Sequence, residues 1–313
     1  MSFRVDSNTP TIVPQGFKRL EKPLFTLDEV LQRENYILCD YSISNPVETD
    51  WYADHIYGVN RFSELELHPI EMQRDFMRFF AELLGSSKTL VSRGIPLEIQ
   101  TMVNLLEGKK NFLLMRDHGG ERGRERRFSE EKRNSVEREI FEEICDLFYK
   151  SYNQASRKVF STKNEQIYTF LERLVLSVSE HTEAKTDLRG FYNPERRPKR
   201  TKDFHTDEQT IAISIYLSVF ENQKGCVLGR DSDLRRILFN TMSFLSIPNR
   251  REYREIVDSC KINRINVYYC EQPDKADLDF DSSQFGSHGH KNISQETLRK
   301  IEADVRPYNP FLI

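Results

Sequence analysis

Two short apolar runs constrain this chain more than anything else in it. Tyr36-Ile37-Leu38-Cys39 leads straight into Asp40, and Cys226-Val227-Leu228 leads through Gly229 and Arg230 into Asp231. Each run is too short for a helix and shows no polar alternation, the pattern of a strand covered on both faces. Lys88 to Ser92 reads as a further short strand and Ile265 to Tyr269 as the last. Helical spacing surrounds them. Met72, Phe76, Phe79, Phe80 and Leu83 mark one face over 69–85, with Gly85 as the stop. Pro96 to Glu107 reads as a helix that buries Ile99, Met102, Val103 and Leu106 and ends at Gly108. Strands alternating with helices predict an α/β fold with a mostly parallel central sheet flanked by helices.

The alternation is interrupted. Residues 109–138 form a charge-dense, glycine-containing stretch that reads as a loop, followed by helices expected over 137–153 and 164–182. The pattern resumes at Thr206, where Thr206 and Gln209 have the spacing of a capping box opening a helix over Asp207 to Val219. Asp231-Ser232-Asp233 then starts a helix running through Phe239. The expected organisation is an N-terminal extension over 1–33 with a short helix near Leu27 to Arg33, a core split between 34–108 and 203–272, an inserted helical arm over 109–202, and a C-terminal part over 273–313. In that last part residues 271–290 read as acidic loop and 294–304 as a short helix.

Composition narrows the function class. The chain has 313 residues, 38% hydrophobic and 30% charged, enough for a substantial core. No stretch has the length and apolarity of a bilayer span, and Met1 to Lys18 lacks the apolar centre of a secretory signal, so no membrane partner and a cytoplasmic location are expected. Five cysteines, odd in number and widely spaced, read as buried free thiols and not as a zinc site. A net charge of −3 excludes a chain that is basic throughout. Positive charge is local: ten Lys or Arg against six Asp or Glu over 109–138, and six against two over 187–202. Arg124, Arg126 and Arg127 in the first stretch, and Arg196, Arg197, Lys199, Arg200 and Lys202 in the second, are the candidate phosphate-tracking residues, with Phe191 and Tyr192 available for base stacking. The competing reading is a solvated loop with internal ion pairs such as Glu125 with Arg122.

Four acids stand where α/β sheets place their chemistry. Asp40 and Asp231 follow strands, while Glu98 and Asp207 lie in first helical turns. Singly, each is accounted for as a turn residue, a cap or a partner of the helix dipole. Jointly, four carboxylates on one sheet edge repel unless a cation lies among them, and an all-oxygen set suits Mg²⁺ or Mn²⁺. Asp233 is a weaker fifth ligand candidate and Ser42 a supporting group beside Asp40. Metal-dependent phosphodiester cleavage needs such carboxylates and no Ser, Cys or His nucleophile.

In order and kind these segments resemble the PIN domain, a metal-dependent ribonuclease fold related to the flap-endonuclease class. The resemblance rests on Ile37-Leu38-Cys39-Asp40-Tyr41-Ser42, Ile95-Pro96-Leu97-Glu98-Ile99, Asp207-Glu208-Gln209-Thr210-Ile211-Ala212-Ile213-Ser214 and Val227-Leu228-Gly229-Arg230-Asp231-Ser232-Asp233-Leu234. It covers less than half the chain. Gly229 stands where the family usually has Thr, Arg230 where it often has Asn, and an insertion as long as 109–202 is unusual for it. The resemblance implies a PIN-like endoribonuclease in which Asp40, Glu98, Asp207 and Asp231 hold Mg²⁺ or Mn²⁺ and RNA is the substrate, with a defence or toxin-like role in view. The alternatives are a structure-selective nuclease acting on single-stranded or flap DNA, and a PIN-like module that binds nucleic acid without cutting it. An α/β phosphatase is disfavoured, because Asp40-Tyr41-Ser42 lacks the second acid of an Asp-x-Asp nucleophile motif.

Overall fold

The two apolar runs are adjacent parallel strands. The computed structural model describes residues 24–44, 70–117, 124–184, 204–230, 232–247, 251–273, 275–286 and 292–311, with the backbone alone over 109–117 and 124–138. Its strands are β1 (Leu24–Thr26), β2 (Tyr36–Cys39), β3 (Thr89–Leu90), β4 (Gly225–Gly229), β5 (Ile265–Gln272) and β6 (Lys275–Asp281). Among the described residues they form one six-stranded sheet in the order β1-β6-β5-β4-β2-β3. β2 pairs in parallel with β3 and β4, and β4 with β5, whereas β6 joins β5, and β1 joins β6, in antiparallel fashion. The expected mostly parallel arrangement is therefore present, with an antiparallel flank.

The helices are α1 (Leu27–Arg33), α2 (Ile70–Gly85), α3 (Gly94–Asp117), α4 (Arg124–Arg157), α5 (Glu165–His181), α6 (Thr206–Phe220), α7 (Asp233–Ser246), α8 (Arg251–Ile262) and α9 (Gln295–Val305). They cover both faces, which is why every residue of β2 and β4 is buried. Alternation sorts the side chains. Leu38 and Val227 meet α5, α6 and α7 through Phe170, Ile215 and Ile237. Ile37, Cys39 and Leu228 meet α2, α3 and α4 through Phe80, Ile99 and Phe148. Each such fully buried side chain contributes about 1.5–3 kcal/mol. Residues 109–202, expected as an inserted arm, thus supply α4 to one core and α5 to the other.

Several boundaries differ from the sequence reading. α3 starts at Gly94 rather than Pro96, which puts Glu98 beyond its first turn, and it does not stop at Gly108 but runs to Asp117. Glycine ends a helix firmly when it adopts a left-handed conformation, and among the described glycines only Gly286 has a positive φ. The loop expected over 109–138 is helical at 109–117 and 124–138. Opposite charges four residues apart, such as Arg127 and Glu131, support a solvated helix as readily as a loop. α7 continues past Phe239 to Ser246, and α8 was not expected.

Residues 271–290 are not a loop throughout. Lys275–Asp281 is β6, hydrogen-bonded along β5. Its signal is legible in retrospect, since Ala276, Leu278 and Phe280 alternate with Asp277, Asp279 and Asp281. A register shift between Val267 and Tyr268 sends Phe280 to one core and Leu278 to the other. The extension ends in β1, which pairs with β6, and in α1, closed by a capping box between Thr26 and Glu29.

All five cysteines are free. Four are buried, and burial pushes the Cys260 thiol up to about 12.

Candidate functional site

The carboxyl ends of the parallel strands are joined by Ser42. Asp40 leaves β2 with its N–H donating to the carbonyl of Leu228 at 2.8 Å, and it is 2% exposed. Its Oδ2 accepts from the backbone N–H of Ser42 at 3.0 Å and from the Ser42 hydroxyl. The Ser42 Oγ in turn accepts from the N–H of Arg230 at 2.9 Å. One hydroxyl thus ties the end of β2 to the end of β4 and orients the aspartate between them. A β-carbon at Gly229 would sit in ordinary contact with Asp40 Cβ and Ser42 Oγ, at 3.5 and 3.6 Å, but only 2.4 Å from Leu234 Cδ1. A threonine at 229 would need Leu234 to move, which is the physical content of that departure from the PIN pattern.

A second group forms where α3 and α6 begin. α3 follows β3, and α6 leads into β4, so both helices start at the same end of the sheet. Thr206 donates through Oγ1 to Glu98 Oε1 at 2.5 Å. Gln209 Oε1 accepts from the N–H of Gly94 at 3.1 Å, while its Nε2 donates to the carbonyl of Phe204 at 3.2 Å. This corrects the expected capping box. The N-cap is His205, left-handed at φ 53° and ψ 39°, and it makes no side-chain cap bond. Thr206 and Gln209 are used between elements instead, pinning the start of α6 to the start of α3. Thr206→Val removes that tie. It is expected to lower stability by about 1–2 kcal/mol, since the bond ends on a carboxylate. A urea midpoint equal to the unmodified protein's would contradict this.

Asp207 is half-buried in the first turn of α6. Its neighbour Glu208, 2% exposed, accepts from Ser179 Oγ at 2.8 Å. Sequence reasoning passed over Glu208, although an acid in a helix as apolar as Thr210 to Phe220 was a usable signal. Asp233 opens α7 and pairs with Arg236 at 2.8 Å, one turn on. Asp231 lies outside the described residues, as do Arg196, Arg197, Lys199, Arg200 and Lys202. Arg124, Arg126 and Arg127 fall in the first turn of α4, where the backbone alone is described.

Asp40, Glu98 and Asp207 therefore share one sheet edge. Asp40 and Glu98 stand in separate hydrogen-bonded groups, Asp40 with Ser42 and Glu98 with Thr206, and α3 packs against both α6 and the turn 41–44. Among the described residues no three His, Cys, Asp or Glu side chains stand close enough together to hold a metal ion.

Comparison with protein-family models, with curated proteins and with solved structures gave no match.

Proposed function

We propose that this chain is a metal-dependent endonuclease with a PIN-like core, hydrolysing phosphodiester bonds in RNA at the carboxyl edge of its parallel strands. The observation that carries the reading is Asp40: a carboxylate 2% exposed, at a strand end, oriented by Ser42, whose hydroxyl is tied to the end of the adjacent strand.

The donor chemistry fits Mg²⁺ or Mn²⁺ in kind. Asp40 and Glu98 offer hard oxygen donors, and no described residue donates a hydrogen bond to Asp40 Oδ1. Asp207 starts α6 at the same end of the sheet, and Asp231 is the residue after Arg230; as the described side chains stand no three acids are gathered, so a bound ion would have to draw them together. A bound divalent ion supplies an activated water and offsets charge on the phosphate. The chain's own residues do the rest. Ser42 orients Asp40, Thr206 orients Glu98, and the first turns of α3 and α6 bring the positive ends of two helix dipoles to a phosphate.

The test is incubation of the purified protein with end-labelled single-stranded RNA and with flap DNA, in Mn²⁺ and in EDTA. RNA cleavage that needs Mn²⁺ is expected. Preferential cutting of flap DNA would move the substrate to DNA. Binding without cleavage of either substrate, or cleavage indifferent to EDTA, would overturn the reading.

A further inference from the structure

We propose that Arg230 is a phosphate-binding residue of this site, holding a backbone phosphate of the bound strand on the α2 side of the acidic edge. The proposal rests on the nuclease reading above and names a contact that reading did not include. Arg230 follows β4 directly, and its N–H is bonded to the Ser42 hydroxyl that orients Asp40. Its backbone is therefore fixed beside the candidate metal ligand. Its guanidinium carbon lies 3.9 Å from the centroid of the Phe76 ring on α2.

Two observations separate this arginine from its neighbours. Arg235 pairs with Asp279 at 3.1 Å and Arg236 with Asp233 at 2.8 Å. Arg230 forms no ion pair with any described Asp or Glu, and its Nε is buried with no hydrogen-bond partner. A guanidinium with a buried, unpartnered N–H is costly unless something else satisfies it. Stacking on Phe76 occupies the face of the group and leaves its N–H edges in the ring plane, the arrangement that grips phosphate oxygens with a fork of donors. The charge is felt at the end of β5, where burial pushes the Cys270 thiol up to about 12 against the opposing pull of Arg230. Nε itself is out of reach of solvent, but the two terminal nitrogens are not among the buried, unpartnered atoms, and they can take an anion supplied from outside the chain, such as a phosphodiester at the neighbouring acidic site.

Arg230→Met keeps the contact with Phe76 and removes the charge. With Ca²⁺ in place of Mg²⁺, binding of a labelled single-stranded oligoribonucleotide is expected to weaken by about tenfold in this variant. The slope of log affinity against log salt should fall by about 0.7, the share of one phosphate contact on a single strand. Arg230→Lys should keep the slope, and it stands in for the methionine variant if that one melts early. Unchanged affinity and slope in Arg230→Met, or a lysine variant whose slope also falls, would overturn the proposal. Titration with inorganic phosphate separates its failure from that of the nuclease reading. Phosphate bound by the unmodified protein and lost in Arg230→Met supports the anion site even in a chain that cuts no RNA. An unmodified protein that binds neither phosphate nor the oligonucleotide overturns it.

Discussion

Asp40→Asn is expected to reduce cleavage by at least about a hundredfold, the scale on which active sites lose rate when one well-placed electrostatic group is removed. Asparagine keeps the shape of the side chain and an oxygen that can accept from Ser42, so the bridge between β2 and β4 survives. It loses the negative charge that a divalent ion would require. Stability should stay level or rise, because a buried amide in place of a buried carboxylate removes the cost of keeping a charge out of water. Cleavage assays set beside thermal melts decide the matter. Full activity in Asp40→Asn would remove this edge of the sheet from the mechanism, and loss of activity with loss of fold would give Asp40 a structural role only.

Gly225→Ala is expected to be strongly destabilising, the tightest β-carbon fit among the described glycines. A β-carbon at 225 would stand 2.2, 2.3 and 2.4 Å from three atoms of the Tyr36 ring. The ring has little room to yield, being 2% exposed with its hydroxyl donating to the carbonyl of Ser214 at 3.2 Å. Tyr36 and Gly225 are also register partners in the pairing of β2 with β4. Overpacking of this kind costs about 3 kcal/mol and occasionally more. The clash lies between two side chains, so trimming the ring should rescue it. In a double-mutant cycle, Gly225→Ala combined with Tyr36→Leu should cost less than the sum of the two single changes. A single Gly225→Ala variant that melts with the unmodified protein would show that β2 and β4 are not paired in this register. The Asp40–Ser42–Arg230 bridge depends on the same pairing, so the site would fall with it.

Legibility tracked how local the signal was. β2, β4 and α2 could be placed because their apolar spacing is strong and their ends are marked. α3 was cut short because Gly108 resembles a stop, although helix interiors accept glycine at a cost of about 1 kcal/mol. β6 is hidden in the sequence because its aspartates give the segment the composition of a solvated loop over the alternation beneath them. The capping box at Thr206 failed for a deeper reason: the same hydroxyl can cap its own helix or reach another, and the choice depends on Glu98, 108 positions away in the chain. In the sequence Arg230 is only a departure from a motif; its place over the Phe76 ring is set by the fold.

The amino-acid order alone determined that apolar runs alternate with amphipathic helices and that acids punctuate their ends, because hydrophobic periodicity and turn chemistry act over a few residues. Only the tertiary structure decided that Ser42 links two strand ends, that Thr206 serves Glu98 and not its own helix, and that Arg230 has aromatic support but no acidic partner among the described residues. Those are pairings across long loops, set by how the sheet packs between its two layers of helices, and no local pattern carries them.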